Sequence, residues 1–93
     1  MKDLKILAVC GFGVGTSLLL KMNIMTALKK LGIRAEVENI DITTAKSVDC
    51  DMIFTSSELA SQMSGINKPI IVINNFMDIN EIQTKASEVI EKL

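Results

Sequence analysis

Apolar positions along this chain change period repeatedly, from unbroken runs to helical spacing and back. Lys5-Ile6-Leu7-Ala8-Val9 is a short run with no helical period, followed at once by Gly11, Gly13 and Gly15, which predicts a buried strand opening into a glycine loop. From Ser17 to Leu31 the residues Leu18, Leu19, Met22, Met25, Leu28 and Leu31 fall near helical spacing, and Gly32 follows as a C′ residue. A first helix is expected there, with Met22 and Met25 filling core or packing the helix rather than offering a binding surface. Ile33, Ala35 and Val37 then alternate with Arg34, Glu36 and Glu38, the period of a strand with one wetter face near a sheet edge, ending near Ile40. Thr43 to Val48 reads as one or two helical turns or as loop, and is assigned a short helix.

Asp51-Met52-Ile53-Phe54 predicts a third strand, and Thr55-x-x-Glu58 a capping box leading into a short helix through Met63. Ile70-Ile71-Val72-Ile73 predicts a fourth strand, with Pro69 at its start, where a missing N–H costs least. The last helix is the clearest amphipath: Ile79, Ile82, Ala86, Val89, Ile90 and Leu93 share a face, with Asp78 at the cap and Glu81 at N3. Alternating strands and helices imply an α/β fold, a four-stranded parallel sheet of order 2-1-3-4 with helices on both faces and right-handed crossovers, of the flavodoxin or Rossmann-like kind. Residues 1–93 are expected to form one domain, with no repeat or linker. Ligands of such sheets bind beyond the carboxyl ends of the strands at the switch point, here between strands one and three, where Cys10 falls.

Composition narrows the chemistry. Leucine, isoleucine, valine and phenylalanine make about a third of the chain, well above the level of disordered sequences. A formal charge of −1 argues against nucleic-acid binding. Nothing reaches the roughly 18 consecutive apolar residues of a membrane span, so no insertion is expected. Leu7-Ala8-Val9-Cys10 is similar to a lipoprotein cleavage site, but the apolar stretch before it is too short for a signal segment, and it is read as strand. Two cysteines do not make a disulfide framework, and a reducing, cytoplasmic setting is expected. With no histidine, the chain has no Ser-His-Asp triad, Cys-His pair or imidazole metal site, and no cofactor or metal is expected. Any phosphohistidine must come from another protein.

The chemically informative segment is Cys10-Gly11-Phe12-Gly13-Val14-Gly15-Thr16-Ser17. Alternating glycines let the backbone adopt positive φ and approach a ligand closely, so that successive N–H groups turn inward. With the positive end of the following helix, those amides form an anion site that needs no basic side chain, and Thr16 and Ser17 add hydroxyl donors. The same field favours thiolate over thiol at Cys10 and makes its sulfur nucleophilic. A phosphoryl group held on sulfur is the chemistry this arrangement suits. The loop lacks the Gly-Lys-Ser/Thr of a Walker sequence and the third glycine of a dinucleotide fingerprint. Low-molecular-weight cysteine phosphatases share the strand, cysteine, five-residue loop and helix, but carry arginine where this chain has Thr16, and a later Asp-Pro where its single proline follows Lys68. Without the arginine clamp and the acid, hydrolysis should be poor and a phosphocysteine should persist.

Ile6-Leu7-Ala8-Val9-Cys10-Gly11-x-Gly13-x-Gly15-Thr16-Ser17, followed by Lys21-Met22, resembles the cytoplasmic enzyme IIB component of the bacterial phosphoenolpyruvate-dependent sugar phosphotransferase system. The likeness extends through Ile33 and Asp51-Met52-Ile53-Phe54-Thr55-Ser56 and is greatest to the ascorbate-type proteins of the lactose/cellobiose-like IIB superfamily, with galactitol-type proteins the nearest confusion. It implies that Cys10 accepts a phosphoryl group from a phosphohistidine of a IIA partner and passes it to a sugar, L-ascorbate by subfamily, bound in a membrane IIC partner. The rival readings are a phosphatase or arsenate-reductase-like enzyme using the same nucleophile, and a non-catalytic module with a core cysteine. Cys50, between two aspartates that would raise its pKa, reads as a bystander. Asn74 and Asn75 sit where they could line the pocket but suit an ordinary loop. Phe12 and Val14, if outward, would offer apolar contacts to IIA and IIC.

Overall fold

The computed structural model describes residues 4–9, 13–63 and 65–92, with side chains from residue 18 onward in the first helix. In chain order the elements are β1 (Leu4–Val9), α1 (Gly13–Lys30), β2 (Ala35–Ile40), α2 (Ile42–Ala45), β3 (Met52–Thr55), α3 (Ser57–Ala60), β4 (Ile70–Val72) and α4 (Ile79–Glu91). Among the described residues the strands form one parallel sheet of order β2-β1-β3-β4, as the alternating pattern implied. Ile6 lies opposite Val37 on one side and Met52 on the other, and Ile53 lies opposite Ile70.

Strand alternation divides the core in two. Ile6, Ala8, Met52, Phe54 and Ile71 face Leu20, Ile24, Ala27 and Leu28 of α1 and Ile82 and Ala86 of α4. Leu7, Val9 and Ile53 face the other way, onto Ala45 of α2, Leu59 of α3, Met63 and Cys50. The coverings are unequal: one face carries helices of 18 and 13 residues, the other two helices of 4 residues each. The two inner strands are buried on both faces, which explains why they read as unbroken apolar runs while the edge strand β2 alternates.

Local chemistry accounts for most boundaries. Gly32, at φ +72°, is the C′ residue of α1: its N–H donates to the Lys29 carbonyl and that of Ile33 to the Leu28 carbonyl, the paired bonds of a Schellman stop. Ile33 is thereby spent on the stop, and β2 begins at Ala35. Asp41 caps α2 by accepting from the Thr44 N–H, which settles the ambiguous stretch as a single short helix from Ile42.

Three expectations are corrected. The first helix begins at Gly13, not Ser17. Gly13 and Gly15 therefore take helical backbone rather than positive φ, at a position where glycine's poor propensity costs least because the first-turn amides have no intrahelical partners anyway. Met22 and Met25 do not fill core: they are 56% and 49% exposed, and Leu18 and Leu19 are also exposed. Because α1 is apolar on nearly every side, spacing alone offers two stripes, and the sheet takes Leu20, Ile24 and Ala27 together with the expected Leu28. Thr55 belongs to β3 and does not cap. The α3 cap is Ser56, whose Oγ accepts from the Leu59 N–H, and beyond Ala60 the chain runs to Met63 in i→i+3 turns.

α4 matches its pattern at Ile82 and Ala86, which are buried, and at Ile79, Val89 and Ile90, which pack on the core; Leu93 lies outside the described residues. Asp78 caps it, accepting from the Glu81 N–H.

Candidate functional site

β1 ends at Val9 and α1 begins at Gly13, so this joint falls at the carboxyl edge of the sheet. The chain leaves β1 for β2 on one side and later crosses to β3 on the other, which makes the β1–β3 boundary the switch point. Cys10, Gly11 and Phe12 lie outside the described residues. Gly13, Val14, Gly15, Thr16 and Ser17 form the first turns of α1. No acidic residue occurs in that first turn, so nothing there offsets the positive end of the helix dipole, while Lys29 and Lys30 complement its negative end.

The floor beside the joint comes from β3. Val9 and Thr55 are register partners, and the Thr55 hydroxyl donates to the Val9 carbonyl at 2.9 Å. The Thr55 carbonyl accepts from the Ile73 N–H at 2.9 Å, so one residue joins three strands at their carboxyl ends. Thr55 is 0% exposed and is the buried polar residue of the described core. The sequence marks it only as a polar residue closing an apolar run, and capping is the more familiar use of that pattern.

On the far side of β3, the loop after β4 is tied down by Glu81. Its carboxylate accepts from the Asn74 N–H at 2.8 Å, the Asn74 side-chain amide at 3.2 Å and the Asn75 N–H at 3.1 Å. Lys85 donates to the same carboxylate and to the Val72 carbonyl, each at 2.7 Å. Burial would raise the Glu81 pKa, but the Asn74 amide, the Lys85 ammonium and the Asn75 amide outweigh it and lower it to about 2. Glu81 is thus at N3, as its spacing implied, yet it reaches back past the cap to the loop. Asn75 also accepts from the Met77 N–H at 3.0 Å, so the polar atoms of this asparagine pair hold the loop in shape. The Asn23 side chain of α1 donates to the Phe76 carbonyl, closing the loop onto the first helix.

Cys50 stands apart from all of this. It precedes β3 at the amino edge of the sheet, is 5% exposed, is free, and packs in the apolar layer under α2 and α3. Its thiol is pushed above the ordinary range chiefly by burial; Lys68 opposes that, and Asp49 and Asp51 add to it. The flanking aspartates thus act as expected but are secondary to desolvation. A hollow of about 560 Å³ between the end of α1 and the start of β2, lined by Leu4, Met25, Lys29 and Glu36 among others, also lies toward the amino edge. No group of three or more metal-ligating side chains occurs among the described residues. No helix there is long and apolar enough to cross a membrane.

Comparison with known proteins places this architecture. Residues 5–88 match the family described as PTS system, Lactose/Cellobiose specific IIB subunit. The ascorbate-specific PTS system EIIB component of Mycoplasma pneumoniae is 38% identical over 92 residues, covering 96% of this chain and 97% of that protein. The protein of the same description from Salmonella typhimurium is 31% identical over 91 residues, covering 95% and 90%. The lactose-specific IIB component domain from Streptococcus pneumoniae superposes with a TM-score of 0.60 at 18% identity, over 98% of this chain and 94% of that one, a likeness of fold. Joined to the strand order and the glycine-rich β1–α1 joint, the match over nearly the whole chain means that this protein belongs to the lactose/cellobiose-type IIB family of the phosphotransferase system and is a phosphotransferase component of sugar transport.

Proposed function

We propose that the chain, acting as one IIB domain, carries a phosphoryl group on Cys10, taken from a phosphohistidine of a IIA partner and handed to L-ascorbate held in a membrane IIC partner. The carrying observation is the β1–α1 joint: a cysteine directly after a buried strand at the switch point, followed by a helix whose first turn bears no acid. In the first step the Cys10 thiolate attacks phosphorus, the P–S bond forms and the P–N bond breaks, and the imidazole leaves. In the second, the sugar hydroxyl oxygen attacks as its proton passes to a base outside this histidine-free chain, the P–S bond breaks, and the thiolate is restored. Amides of Gly11, Phe12, Gly13, Val14 and Gly15, which no helical carbonyl claims, cradle the phosphoryl oxygens with the Thr16 and Ser17 hydroxyls beside them, and the helix field favours both thiolate and phosphate. The burial and raised pKa of Cys50 support Cys10 as the acceptor between the two cysteines. Ascorbate is supported by relatives of that specificity at 38% and 31% identity.

The exposed stripe Leu18, Met22 and Met25, running down α1 from the site, suits an apolar protein partner docking over the joint. Docking on IIC would keep the protein at the cytoplasmic face of the membrane. Incubation with phosphorylated IIA tests the reading: wild type should gain the mass of one phosphoryl group and Cys10→Ser should not. Undiminished labelling of Cys10→Ser would overturn it, and rapid release of free phosphate would favour a phosphatase.

A further inference from the structure

A hydroxyl buried among apolar side chains carries a desolvation cost that valine, of nearly the same shape, would avoid. Thr55 is such a hydroxyl: it is fully buried, on the sheet face that carries Leu7, Val9 and Ile53, and among the described residues it donates to the Val9 carbonyl at 2.9 Å. That carbonyl belongs to the last residue of β1. The ladder between β1 and β3 ends at this pair, and the Thr55 side chain supplies a donor at the point where the strands stop pairing. Thr55 is itself held from the other side, since its carbonyl accepts from the Ile73 N–H, and Ser56, which follows, is committed to capping α3.

The peptide bond gives this contact its reach. That oxygen lies in the rigid plane of the peptide bond by which the chain leaves β1, so a bond that fixes its direction also holds the point at which the chain leaves the sheet. We infer that Thr55 is a positioning residue for phosphoryl transfer: through its hydroxyl on the Val9 carbonyl, it holds in place the end of β1 from which the nucleophile-bearing segment leaves the sheet. The inference rests on Cys10 being the phosphoryl carrier. A misaimed nucleophile slows the chemical step without altering the outer surface a partner binds, so the effect belongs in kcat rather than KM.

The test measures phosphoryl uptake from phosphorylated IIA by the full chain carrying Thr55→Val, Thr55→Ser or Ile71→Val; the last trims the core on the opposite sheet face, away from Val9. Thr55→Val should lose about tenfold or more in kcat with KM little changed, and Thr55→Ser, which keeps the donor, should retain most of the rate. Ile71→Val should lower the melting temperature without a kcat loss of that size. In a Cys50→Ser background, Thr55→Val should also shift the pH profile of Cys10 alkylation by iodoacetamide, and Thr55→Ser should not. If Thr55→Val fails to fold, Thr55→Ala against Thr55→Ser compares loss and retention of the hydroxyl at nearly equal volume, with the same expectation. Wild-type kcat in Thr55→Val or Thr55→Ala, a loss confined to KM, or an equal loss in Thr55→Ser or Ile71→Val would overturn the inference. Cys10→Ser separates the two claims: labelling that survives it defeats the carrier reading, whereas labelling lost in Cys10→Ser with normal transfer by Thr55→Val defeats only the role of Thr55.

Discussion

The Asn23 side-chain amide donates to the Phe76 carbonyl across 53 residues of sequence, fastening the first helix to the loop that follows the last strand. Asn23→Leu keeps the bulk and removes the donor, leaving a part-buried carbonyl without that partner. Stability should fall by about 1 kcal/mol, and the melting temperature by roughly 4–8 °C for a domain of this size. The Met77 and Asp78 amides, both bonded to Asn75, should exchange faster with solvent while that of Ile53 in β3 does not. Unchanged exchange at Met77 and Asp78 would mean that the loop is held by Glu81 alone.

Glu81 makes stability depend on acid. Its pKa is lowered from 4.5 to about 2 in the folded protein, so its stabilisation is fully present above about pH 4.5 and is lost as the pH falls toward 2. Glu81→Gln should therefore cost about 2 kcal/mol at neutral pH and flatten the decline of stability between those limits. Denaturant melts at pH 7, 4.5 and 3 check both; parallel pH curves for the two proteins would contradict the assignment.

Gly32 offers a test of backbone conformation free of packing. A Cβ built there meets nothing within 4 Å, yet φ is +72°. Gly32→Ala should cost about 1 kcal/mol in a urea melt and Gly32→Asn less, because asparagine tolerates the left-handed region better.

Met22, half-exposed on α1, separates partner docking from folding. Met22→Glu should leave the melting temperature within a degree or two of wild type and raise KM for phosphorylated IIA by roughly tenfold, with kcat unchanged. An unaltered KM would move the docking surface off this face of the helix.

Where sequence patterns were unambiguous, the fold could be read directly. The doubly buried run Ile6 to Val9, the amphipathic face of Ile82 and Ala86, and the glycine after Leu31 each have one physical solution, and the alternation of strands and helices implied the strand order observed. Patterns with two solutions misled. α1 carries apolar residues around its circumference, so its buried side is chosen by the sheet and α4 rather than by period, and Met22 and Met25 fall outside. Thr55 and Ser56 are both sound caps, and only the length of β3 decides between them. At the candidate site, the cysteine, glycines and helix start follow from local order, whereas the Thr55–Val9 bond joins residues 46 apart and needs the sheet register to exist.

The unequal covering of the sheet has a dynamic consequence. A layer of two four-residue helices holds far less apolar surface against the strands than one built from α1 and α4, so it should detach at lower free energy, as a separate cooperative unit. Cys50 lies beneath that thinner layer, with a thiol that reacts only once water reaches it. Its labelling rate is therefore a built-in clock for breathing on one side of the molecule, which can be read while the other side stays closed.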